Sequence, residues 1–134
     1  MMDKDRFKDD IRKIIDDGKS VSEDIAAYVK TEFDAALQKG SRSAGESKAL
    51  VRDMLLSVEA GLKDAGMEAG EALEKTAAEL SSVGEDIAGQ SYDAVRSYAG
   101  SAQRAIVKAL ELGRGSLGRL ERLLDDDDRQ ERKD

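Results

Sequence analysis

Cut into elevens from Val21, the chain places Val29, Gly40, Val51, Leu62, Leu73, Gly84, Val95, Ile106 and Leu117 at the ninth position of successive blocks. These are aliphatic residues, relieved only by glycine. The eleventh positions hold Thr31, Arg42, Asp53, Asp64, Lys75, Asp86, Ser97, Lys108 and Arg119, and none of them is apolar. Eleven residues make close to three turns of α-helix, so each column keeps nearly one angular position. At ~100° per residue the first, second, fifth, eighth and ninth columns share an arc of roughly 120°. That arc holds most of the large aliphatic side chains, and its phase survives the break at Gly40–Gly45. Amphipathic helix is the one regular structure such a pattern supports.

The residue types agree. Proline is absent, and Ala, Leu, Glu, Lys, Arg and Met, the favourable helix formers, are abundant. The expectation is an all-α chain, an antiparallel bundle of three to five amphipathic helices, compact or elongated. Leu, Ile, Val and Phe make up about 21 % of the 134 residues, just above the level of roughly 20 % below which a highly charged chain stays disordered. The core is therefore thin, with alanine and glycine filling much of it. Helix–helix packing, self-association or an external apolar surface must supply the remaining stability.

Along the chain, Phe7, Ile11, Ile14 and Ile15 mark one face of a first helix at about 3–17, closed by Gly18. Ser20-Val21-Ser22-Glu23 offers a capping box for a second helix to about Lys39, with Val21, Ile25, Tyr28, Val29, Phe33, Ala36 and Leu37 inward. Ser43-Ala44-Gly45-Glu46 offers another for a third helix carrying Leu50, Met54, Leu55, Val58 and Leu62. Between Gly61 and Gly70 two readings stand: a bend or turn, or small contact points for a close neighbour. A stripe from Leu73 through Leu80, Ile87, Val95 and Ile106 then runs to about Leu112, with Ser82-Val83-Gly84-Glu85 either restarting the helix or lying within it. Residues 1–112 form the helical bundle. Residues 113–134 form a Gly-rich hinge, a short terminal helix through Leu117, Leu120, Leu123 and Leu124, and a charged tail.

The absences narrow the function classes. With no Cys there is no disulfide, thiolate nucleophile or Cys-ligated metal, and with no His the usual neutral-pH base and commonest metal ligand are missing. No catalytic residue, cofactor-binding residue or metal ligand is assigned, and the expectation is a protein that is not an enzyme. A net charge of −7 disfavours nucleic acid and strongly anionic membranes. No apolar run suggests a signal peptide or a transmembrane segment, so the expected location is cytoplasmic.

The carboxylates Asp9, Asp10, Asp16 and Asp17 could share a helix face, but hard cations need converging oxygens and a bending loop. A solvated face paired with Lys8, Arg12 and Lys13 is the simpler reading. Asp125–Asp128 reads as a solvated run at an unfavourable helix end. Gly113-Arg114-Gly115-Ser116-Leu117-Gly118-Arg119 lacks the Gly-Lys-Ser/Thr ending and the strand of a phosphate loop, so it reads as a hinge. Tyr28, Tyr92 and Tyr98 read as interface edges.

With its apolar arc and stretches such as Ser57-Val58-Glu59-Ala60-Gly61-Leu62-Lys63-Asp64, the segment 21–112 resembles proteins built on eleven-residue amphipathic helical repeats. Examples are polyhydroxyalkanoate-granule phasins and apolipoprotein-like chains, and small bacterial helical domains are similar. The resemblance implies a coat or scaffold on an apolar particle. The chain departs from phasins in its many glycines and in lacking a Lys/Ala/Pro-rich tail.

The sequence itself points to an interaction or scaffold protein, a homo-oligomer or a binder of another protein. Its apolar contact set is Leu50, Met54, Leu55, Val58, Leu62, Leu73, Leu80, Ile87, Val95, Ile106 and Leu110. Reversible binding to neutral lipid or polymer granules is the alternative. A stress-protective disordered chain and a carboxylate–lysine enzyme are more remote readings.

Overall fold

A computed structural model of the chain describes residues 4–38, 44–82 and 90–111. They form five helices: α1 (Lys4–Asp17), α2 (Val21–Gln38), α3 (Ala44–Asp64), α4 (Gly70–Ser81) and α5 (Gln90–Glu111). Among the described residues all regular structure is helical, as the period of the apolar residues requires. Each helix carries an acid in its first turn: Asp5, Glu23 and Asp24, Glu46, Glu71 and Asp93 in order. Negative charge there complements the partial positive charge of the unpaired N–H groups.

Two glycines end helices by adopting a left-handed conformation. Gly18, at φ +72°, donates its N–H to the carbonyl of Ile14 at 3.4 Å and closes α1. Gly66, at φ +75°, closes α3 with a pair of bonds: its own N–H to Lys63 O at 2.9 Å, and the N–H of Met67 to Leu62 O at 2.9 Å. That reciprocal pair is a Schellman cap.

The two readings of Gly61–Gly70 therefore apply to different glycines. Gly66 is a turn, whereas Gly61 is helix interior at a close approach. A Cβ on Gly61 would stand 3.2 Å from Cγ2 of Ile11, so the missing side chain lets α1 lie close on α3. The carbonyl of Ser20 accepts the Asp24 N–H at 2.8 Å, which places Ser20 at the start of α2. Glu23, expected to fold back onto that cap, instead meets Lys75 of α4 at 3.4 Å. The proposed box at Ser43 and the Ser82–Glu85 segment extend outside the described residues.

The expected stripe from Leu73 to Leu110 is shared by two helices. α4 stops at Ser81, where the Ser82 N–H turns back to Glu79 O at 3.2 Å, and α4 and α5 then pack on each other. The helices pack in a circuit, α1 with α2, α2 with α4, α4 with α5, α5 with α3 and α3 with α1, and α3 also packs across it on α4 and α2. Cross-helix contacts show direction. Arg6 meets Glu32 and Asp10 meets Tyr28, so α1 and α2 run oppositely. Glu23 meets Lys75 and Lys30 meets Glu79, so α2 and α4 ascend together.

The interior follows the eleven-residue count. Carried back to Phe7, that count puts every buried residue except Ala26, Ser57 and Gly70 into the first, second, fifth, eighth or ninth column. In the ninth column Phe7, Val29, Val51, Leu62, Leu73, Val95 and Ile106 are buried, while Gly18, at the turn after α1, is exposed; no described eleventh-column residue is buried. The apolar arc of each helix thus faces the others, which removes it from water at roughly 25 cal/mol per Å².

Candidate interaction surface

Nine members of the expected contact set lie in the core of this chain: Leu50, Met54, Leu55, Val58, Leu62, Leu73, Leu80, Val95 and Ile106. Ile87 lies outside the described residues. Leu110 is on α5, with its side chain outside them. The nine described members are buried against neighbouring helices of the same chain. Residues not assigned to that set share the core: Ala69, Ala72, Ala77, Ala99, Ala102 and Thr76. They occupy the same arc of columns, so angular position marked them, although their small or polar side chains did not.

Tyr98, expected at an interface edge, is 4 % exposed and belongs to the core. Tyr28 is partly buried. Its hydroxyl donates to Oδ2 of Asp10 at 2.6 Å, and its ring lies 5.5 Å from that of Phe7. Burial foremost, then the bond to Asp10, raises the phenol well above its ordinary range. Tyr92 has its side chain outside the described set.

Two buried side-chain oxygens among the described residues lack a hydrogen-bond partner: Oγ of Ser47 and Oε2 of Glu59. The other oxygen of Glu59 pairs with Nζ of Lys63 at 3.6 Å. Burial holds the Glu59 carboxyl above the usual carboxylate range, against the opposing pull of Lys63. Neither residue lines the cleft between α2 and α4. That cleft, of about 350 Å³, is floored by Ala26, Ala27 and Ala78 and edged by Glu23, Lys30, Thr31, Lys75 and Glu79. Its cations are paired across the helices, Lys30 with Glu79 at 3.4 Å and Lys75 with Glu23 at 3.4 Å, and Lys75 also meets Glu71 at 3.2 Å.

Small side chains and charges paired across the helices thus line the contact between α2 and α4. Among the described residues no three acidic side chains converge on a point that could hold a metal ion. No described helix is long and apolar enough to cross a membrane, and among the described residues Met67, 39 % exposed, is the large apolar side chain left in water. The Asp125–Asp128 run and the 113–119 hinge lie outside the described residues. The chain matches no family model, no curated protein and no solved structure.

Proposed function

We propose that this protein is a non-enzymatic helical interaction or scaffold module that self-associates, its sequence-adjacent helices pairing antiparallel. Its apolar faces are held inside the chain and meet a partner when helices part. The observation that carries the reading is the single arc of columns that supplies nearly all buried side chains of five helices. Helices sharing one phase can exchange neighbours without exposing new apolar area, and glycine-capped turns join two successive pairs of them. Light scattering across micromolar concentrations, with identification of what co-purifies with the native protein, tests the reading. Concentration-dependent dimers or a bound polypeptide are expected. A lone monomer at every concentration would end it.

The same common phase favours a second reading, a coat on neutral lipid or polymer granules, because helices with one apolar arc can lie flat together on such a surface. Added neutral vesicles should then raise helix content and carry the protein to the top of a density gradient. Unchanged circular dichroism without flotation would remove that alternative.

A further inference from the structure

We infer that α1 is an exchangeable arm, and that it associates with a second copy of this chain by leaving its own α2–α3 groove for the partner's. The inference rests on the self-association proposed above and names the element that carries it. The first observation is phase. Phe7 and Ile25, both buried, are separated by about five whole turns of ideal helix. Ile11, Ile14, Gly18, Val21 and Val29 fall between or beside them on one stripe. Were Gly18, Lys19 and Ser20 to become helical, residues 4–38 would form one helix with an unbroken apolar seam. One half of that seam would face its own core and the other half the core of a neighbour.

The second observation is the link itself. Gly18, Lys19 and Ser20 are all exposed, so straightening them uncovers nothing. It also replaces a left-handed turn with backbone bonds of continuous helix. The third is that the groove specifies its occupant. Ile11 fits against Gly61 where a Cβ would crowd it, the Phe7 ring tilts against Tyr28, and the Tyr28 hydroxyl donates to Asp10. Arg6 pairs with Glu32 at 2.8 Å. A second copy of α1 remakes every one of these contacts, which an unrelated helix does not. Such exchange of an identical element is a low-cost route to dimers.

The test mixes full-length chains carrying Arg6→Cys alone with chains carrying Glu32→Cys alone, joined by a short bismaleimide; the natural chain has no cysteine to interfere. Exchange predicts a crosslinked heterodimer. In chains also carrying Gly18→Ala, the dimer association constant should rise by at least about 100-fold. Alanine is strained in the left-handed turn and favoured in continuous helix at each of the dimer's two hinges. Gly66→Ala is the control, with the same conformational penalty at a turn that exchange does not open. It should lower stability and leave the dimer constant unchanged.

Dimers that never crosslink between chains would overturn the arm while leaving self-association in place. An equal rise in dimer with Gly66→Ala would overturn it too. Monomers under all conditions, Gly18→Ala included, would remove both this inference and the reading it rests on.

Discussion

Ser47 and Glu59 each bury an oxygen with no partner, and an unmet buried polar atom costs about 1–3 kcal/mol. Ser47→Ala should therefore raise stability, by about 1 kcal/mol in urea denaturation. Glu59 is held above its ordinary value by burial, so its folded pKa exceeds its unfolded one. Its protonated form favours folding: the contribution is full below the unfolded value and is lost as pH rises through the folded value. Glu59→Gln should then stabilise the protein at about pH 7, and urea denaturation should show that gain vanish as pH falls below the unfolded carboxyl's value.

The helical glycines divide by what surrounds them. A Cβ on Gly100 would meet only the mobile tip of Arg104 at 3.5 Å, so Gly100→Ala should gain up to about 1 kcal/mol in helix propensity. At Gly61 the obstacle is Ile11, fully buried and unable to swing away. Gly61→Val should cost about 1–3 kcal/mol by wedging α1 off α3. Thermal melts of the two variants should move in opposite directions.

At the scale of elements, α4 is the shortest of the described helices and yet packs on α2 at one side and α5 at the other. Its inner face alternates bulk with smallness: Leu73, Ala77 and Leu80 are fully buried, with Ala72 and Thr76 beside them. Thr76 satisfies its hydroxyl on its own helix, at the Ala72 carbonyl 2.6 Å away, so it adds no polar cost to the contact. Small residues let neighbouring backbones approach, which suits a core with few large side chains. Ala77→Leu should force α4 away from its neighbours at a cost of about 1–3 kcal/mol, and Leu80→Ala should leave a cavity costing about 2–5 kcal/mol. Chemical denaturation of both variants, alongside hydrogen exchange on α2 and α5, checks whether the damage spreads through α4 to both partners.

At the scale of the molecule, the circuit of contacts means that no helix has a spare apolar side among the described residues. The stripe that reads as a docking face is the inside of the fold. Any association through it requires rearrangement, and rearrangement of like-phased helices loses little burial. The chain should accordingly unfold in one cooperative step in dilute solution, with fluorescence of its tyrosines and far-ultraviolet dichroism changing together. Separate transitions by the two probes would contradict a single core shared by all five helices.

Sequence alone determined the all-helical character of the described residues, the first two helices to within a residue or two, the start of the third, and the angular arc that becomes buried. These follow from residue types and from a spacing near 3.6, which act locally. It also marked Gly18 as a stop, because a left-handed cap needs a residue without a side chain. Only the tertiary structure decided that Gly61 and Gly66 have different roles, that Glu23 crosses to Lys75 rather than returning to its cap, and that Tyr98 is core. It also decided that α2 lies beside α4 and that Leu73 and Ile106 belong to separate helices facing each other. Those outcomes depend on which helix stands opposite. One helix's periodicity says that a face must be covered and carries no record of what covers it.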